Sequence, residues 1–108
     1  MTTPMIRKAF IMTLKPGQRE EYTKRHNPIW PELRETLKQN GVSNYSIFLD
    51  PTSDKLFAYV EFESEELWEG IAKTSGCRRW WDYMKDLMLT NPDNSPVVTR
   101  LDEVFHLD

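Results

Sequence analysis

The sequence predicts an α+β sandwich in which strands and helical crossovers follow the order β-α-β-β-α-β. Two observations carry this expectation. The hydrophobic period alternates between two residues and about 3.6 residues in that order along the chain. Turn chemistry falls at each change of period: Pro16-Gly17, Asn40-Gly41, Asp50–Asp54 and Asn91–Pro96 are built from Pro, Gly, Asn, Asp, Ser and Thr. A chain of 108 residues is expected to form a single domain, 1–108, with residues 1–4 flexible. It is long enough to bury a core without disulfides or metals.

Each element has its own justification. Met5–Leu14 reads as a strand with Ile6, Phe10, Met12 and Leu14 on one face, interrupted by Lys8. From Gln18 to about Asn40 the apolar stripe Tyr22, His26, Ile29, Trp30, Leu33, Leu37 has helical spacing, and Asn40-Gly41 is a good stop. Pro28 and Pro31 interrupt that stripe; they either kink one helix or end it near His26 and begin another. Val42–Leu49 and Lys55–Glu63 are the next strands, the second alternating cleanly through Leu56, Ala58, Val60 and Phe62. Ser64 is an expected N-cap for a helix to about Thr74, with Glu65 and Glu66 in its first turn. A further helical segment runs from about Gly76 to Met88, and Val97–His106 is expected as the closing strand. The sum is a ferredoxin-like sandwich: a four-stranded antiparallel sheet with the helices on one face. Its other face would carry Met5, Ala9, Ile11, Phe57 and Tyr59. That is too much apolar surface to leave in water, so a second copy is expected to cover it and make a homodimer, a dimeric α/β barrel; the alternative is a half-wet face.

Composition removes several function classes. The net charge is −3, with no basic tract, so neither nucleic acid nor an anionic membrane is an expected partner. No apolar run reaches the length of a membrane span, and the N-terminus lacks a signal peptide's pattern. Cys77 is the one cysteine, which excludes a disulfide framework and suits a reducing cytoplasm. Cys77, His26 and His106 show no metal-ligand spacing, so no metal is expected; the plentiful acids leave only a carboxylate site for a hard cation open.

Acid–base chemistry or simple binding is what remains. Tyr22 and His26 are four residues apart, so both face the sheet beside the proline interruption. His26 can be a satisfied structural histidine or a proton-transfer group. Tyr45 shares its face with Ile47 and Leu49, toward the helices. Trp80 and Trp81 point about 100° apart on a helix, so one can be core while the other walls a pocket. Arg78 and Arg79 read as surface charges, and Asn91–Pro96 reads as a structural loop more than a ligand contact.

Three motifs then carry a resemblance: RHNPIWPEL from Arg25, RWWDYM from Arg79, and NPDNSPV from Asn91. With the MIRKAF start at Met5, they resemble the L-rhamnose mutarotases over nearly the whole chain, outside the first four residues. The resemblance implies a cytoplasmic, cofactor-free homodimer that interconverts the α and β anomers of L-rhamnose. It implies His26 as the acid/base, with Tyr22, Tyr45, Trp80 and Trp81 contacting the sugar. His106 matches none of these motifs. The alternative from another class is a ligand-binding or cofactor-independent monooxygenase-like protein of the same fold, since fold alone does not decide function.

Overall fold

A computed structural model describes residues 4–108. The expected flexibility of residues 1–4 therefore falls mostly on residues outside the described part. The chain forms β1 (Ile6–Thr13), α1 (Arg19–Arg25), α2 (Pro31–Gln39), β2 (Val42–Leu49), β3 (Lys55–Phe62), α3 (Glu65–Ile71), α4 (Ser75–Met84) and β4 (Thr99–Leu101). The strands make one sheet in the order β2-β3-β1-β4. Every pairing is antiparallel, as expected for the ferredoxin-like arrangement.

The core lies between sheet and helices. β1 contributes Phe10 and Met12, with Leu14 just beyond its end, and β3 contributes Leu56, Ala58, Val60 and Phe62, all buried. Leu33, Ile71, Cys77, Trp80 and Met84 close over them from the helices. Fully burying one such large side chain stabilises the fold by roughly 1.5–3 kcal/mol. Lys8 interrupts the inner face without leaving it: its ammonium bonds Glu65 at 3.2 Å and lies 5.5 Å from the centre of the Phe62 ring.

The long helical stripe splits into two helices. α1 stops at Arg25, and α2 restarts with Pro31 as its first residue, where a missing N–H costs nothing. Residues 26–30 cross between them, which settles the proline question in favour of a new helix. The later boundaries also move. Ser64 caps α3 by accepting from Leu67 N at 3.1 Å, but the helix ends at Ile71 because Thr74 caps the next one, accepting from Cys77 N at 3.3 Å. Gly76 lets α4 approach α2 closely: a Cβ there would stand 2.9 Å from Thr36 Oγ1.

The expected closing strand, Val97–His106, is corrected to three paired residues, Thr99–Leu101. Val97–His106 is rich in β-branched and apolar residues, which looks like a strand in sequence, but a strand needs a backbone partner. Beyond Leu101 the tail leaves the ladder and is tied back by its side chains, with Glu103 accepting from Arg7 at 2.8 Å. Val104, Phe105 and Leu107 are left almost wholly exposed.

One irregularity explains how β2 presents its side chains. Val42 and Tyr45 differ in parity, yet both face inward. A bulge between Ser43 and Ser46 sets Asn44 and Tyr45 opposite the single residue Val60, with Asn44 left-handed at φ +48°.

Candidate active site

Between the helices and the inner face of the sheet lies a cavity of about 900 Å³ that opens to solvent. Its volume is in the range of small-molecule sites. All five residues singled out from the sequence line it: Tyr22, His26, Tyr45, Trp80 and Trp81. They arrive from three elements, α1 with its C-cap, β2 and α4. Tyr22 stands on the last turns of α1, and His26 at its C-cap. Tyr45 comes from the bulge in β2, and the tryptophan pair from the middle of α4.

His26 is held on three sides. Its Nδ1 lies 2.9 Å from the carbonyl oxygen of Tyr22. A carbonyl only accepts, so Nδ1 carries the hydrogen and Nε2 keeps its lone pair. The ring sits 4.3 Å from the Tyr22 ring and meets Trp80 edge-on at 5.1 Å. Trp80 is braced in turn by Trp30, edge-on at 5.1 Å, and Trp30 stacks on Tyr83 at 4.8 Å. Behind them Arg25 clamps α1 to α4. It donates to Glu21 at 2.7 Å, to Asp86 at 3.1 Å and to the Tyr83 carbonyl, with its guanidinium 4.3 Å from the Tyr83 ring centre.

The polar tips of the cavity are free. Among the described residues, His26 Nε2 and the hydroxyls of Tyr22 and Tyr45 bond no protein group, and none is sealed from solvent. Tyr45 lies deep in the molecule, yet solvent reaches it because it borders the cavity. Burial dominates the electrostatics. It holds the His26 imidazole below its ordinary 6.5, only partly opposed by the bond to the Tyr22 carbonyl. It pushes the Tyr22 and Tyr45 phenols well above the usual tyrosine value, and each is pushed further by a neighbour, Tyr45 for Tyr22 and Cys77 for Tyr45. At neutral pH the cavity therefore presents a neutral imidazole with an open Nε2 and two neutral phenols. The Cys77 thiol, raised by burial to about 11, is no nucleophile there.

Trp80 and Trp81 divide as helical geometry requires. Trp80 is buried against His26, and Trp81 is half-buried with its indole on the cavity wall. Arg79 pairs with Glu32 at the surface. His106 lies in the exposed tail, bonded to Asp108 at 2.9 Å, away from the cavity. Two further contributors were not among the expected site residues. Trp68 stacks on Phe62 at 5.0 Å and lines the cavity near Tyr45. Asn94, Ser95 and Pro96 also border it, so the loop read as structural forms part of the wall. In sequence the loop stands out only as one of the motifs of the resemblance, because its approach to α4 is a long-range contact. Among the described residues, no group of three or more His, Cys, Asp or Glu side chains is arranged to hold a metal ion.

Comparison with known proteins points the same way. A family model for L-rhamnose mutarotase matches residues 7–107. The L-rhamnose mutarotase of Tolumonas auensis is 58% identical over 103 residues, 95% of this chain and 99% of the relative. That of Escherichia coli K12 is likewise 58% identical over 95% of this chain and 99% of the relative. Among solved structures, an L-rhamnose mutarotase from Formosa agariphila superposes with a TM-score of 0.87 at 45% identity, covering 95% of this chain and 99% of that one. A putative antibiotic biosynthesis monooxygenase from Nitrosomonas europaea superposes at 0.66 with 10% identity over 97% and 95% of the two chains, a likeness of fold alone. On the strength of the matched model and the near-full-length identity, the chain belongs to the L-rhamnose mutarotase family.

Proposed function

We propose that the protein interconverts the α and β anomers of L-rhamnose, with His26 as the acid/base. The observation that carries the catalytic role is the fixed tautomer: the Tyr22 carbonyl holds Nδ1–H and turns a free Nε2 lone pair to the cavity. Nε2 takes the proton of the anomeric hydroxyl O1–H. The O1–C1 double bond forms, the bond from C1 to the ring oxygen O5 breaks, and O5 receives a proton. O1 and O5 are bonded to the same carbon, so one imidazole can serve both atoms and return the proton it took. The open aldehyde turns about C1–C2, and the same steps in reverse close the ring on its other face. Protons balance and no redox step occurs, so the chemistry calls for no cofactor. Tyr22 and Tyr45, neutral and unpaired, orient the sugar hydroxyls, and Trp81 stacks on its apolar face with Trp80 framing His26.

The functional unit is residues 1–108 acting as a homodimer in the cytoplasm, without nucleic acid or membrane. The outer sheet face supports the dimer: Phe48 is 65% exposed and Phe57 40% exposed. No helix among the described residues is long and apolar enough to cross a membrane. The test is saturation-transfer NMR of anomer exchange. Added protein should accelerate exchange in L-rhamnose, and L-rhamnose, unlike flat aromatic acids, should raise the melting temperature. Absence of any acceleration would refute the activity.

A further inference from the structure

We infer that Asn94 is a substrate-contacting residue whose carboxamide oxygen accepts a hydrogen from one sugar hydroxyl. The inference rests on the mutarotase reading and adds a residue to it. Asn94 Nδ2 donates to Asp82 Oδ1 at 2.7 Å. A carboxylate can only accept, so this bond fixes which way the amide is turned. Its Oδ1 is left without a protein partner among the described residues. It is not sealed from solvent, and the residue lines the cavity. Asp82 stands on α4 next to Trp81, so the tether ties the loop to the helix that carries the indole wall.

The loop is built to hold this position before any ligand arrives. Asn91 N donates to the Ser95 carbonyl at 2.8 Å, and Asn94 N donates to the Asn91 carbonyl at 2.9 Å. Asp93 Oδ1 accepts from Ser95 N at 3.0 Å. Asn94 itself is left-handed, φ +70°, a conformation asparagine tolerates better than most residues. Chemistry supplies the need. A sugar hydroxyl must find an acceptor for its hydrogen as well as a donor, and the indole N–H groups of Trp68, Trp80 and Trp81 only donate. A carboxamide oxygen aimed from a rigid loop fills that role and discriminates among sugars by the hydroxyl it meets.

Asn94→Gly is the informative variant, because glycine keeps the left-handed backbone without strain and removes only the carboxamide. Anomer exchange is followed by saturation-transfer NMR against L-rhamnose and a set of its mono-deoxy analogues, each lacking one hydroxyl. The expected result is a KM for L-rhamnose raised about 3- to 10-fold, the size of one neutral hydrogen bond. The expected kcat changes by less than about twofold, and for one analogue the variant and the wild type have the same KM. Asp82→Ala, which keeps Asn94 but frees its amide to rotate, should show a smaller rise with the same analogue pattern, and it serves if the glycine variant folds poorly. An unchanged KM in both variants, or a rise equal for every analogue, would overturn the assignment while the wild-type exchange leaves the activity standing. No exchange by the wild type would overturn the activity and this assignment with it.

Discussion

The two faces of the sheet are opposites. On the inner face the apolar groups are packed and the polar tips are unpaired: His26 Nε2 and the Tyr22 and Tyr45 hydroxyls open into a cavity. On the outer face the polar groups are paired and the apolar ones are bare. Tyr59 donates to Glu61 at 2.8 Å, Asn44 donates to the same carboxylate at 3.1 Å, and Arg7 pairs with Glu103, while Phe48 and Phe57 face solvent. Unpaired polar groups set in an apolar wall suit a small polar ligand, which can satisfy them individually. A flat apolar surface rimmed by satisfied polar groups suits another protein surface. One sheet thus offers a polar-tipped cavity on one side and bare aromatic rings on the other.

The sharpest way to break the inner half of this comparison is His26→Ala. Positioned acid–base catalysis contributes typically ~10²–10⁴-fold, so exchange of L-rhamnose anomers should fall by about that factor, with the fold intact by circular dichroism. Wild-type exchange in a folded variant would remove His26 from the mechanism. The pH dependence sharpens the same point. Burial lowers the His26 pKa below 6.5, so the free base persists through neutrality, and exchange should decline only as pH falls past the lowered value. The linked stability has the same sign. The unfolded chain binds this proton more readily, so stability is fully present above about 6.5 and is lost as pH falls toward the folded-state pKa.

The outer half is broken by charge. Phe48→Asp combined with Phe57→Asp should shift the protein from dimer to monomer in sedimentation velocity, because two desolvated carboxylates oppose association. A wild type that sediments as a monomer, or a double variant that stays dimeric, would separate assembly from this face. Smaller is the effect expected of Tyr45→Phe, which removes one cavity hydroxyl. KM should rise about 3- to 10-fold, the contribution of one hydrogen bond, and an unchanged KM would mean that the sugar does not reach Tyr45. Smallest is Tyr59→Phe on the outer face. Its part-buried bond to Glu61 lies on the far side of the sheet from the cavity, so exchange should change by less than about twofold; a larger loss would show the two faces to be coupled.

Much of this was legible along the chain because it is local. Alternation in Leu56–Phe62 marked the buried face of β3, and the spacing of Tyr22 and His26 placed both on the sheet side of α1. The resemblance, with His26, Trp80 and Trp81 inside its motifs and Tyr22 and Tyr45 outside them, named all five expected site residues, and they do line one cavity. What was missed has a common cause. The helical stripe through Pro28 and Pro31 has one period whether the helix bends or restarts, so period could not choose between them. The tail after Leu101 holds apolar residues that suit a strand, but it joins no ladder beyond that residue among the described residues. Trp68 and Asn94 reach the cavity through contacts between elements far apart in sequence.

The amino-acid sequence by itself determined the order of elements, the apolar inner face and the residue types available for proton transfer, because period and turn chemistry act over a few neighbouring residues. Tertiary structure alone decided which nitrogen of His26 is free. That choice depends on where the Tyr22 carbonyl points once α1 ends at Arg25, and on the burial that keeps the ring neutral. Tautomer and burial are properties of the surroundings of a ring, and those surroundings exist only when α1, α4 and the sheet have packed together.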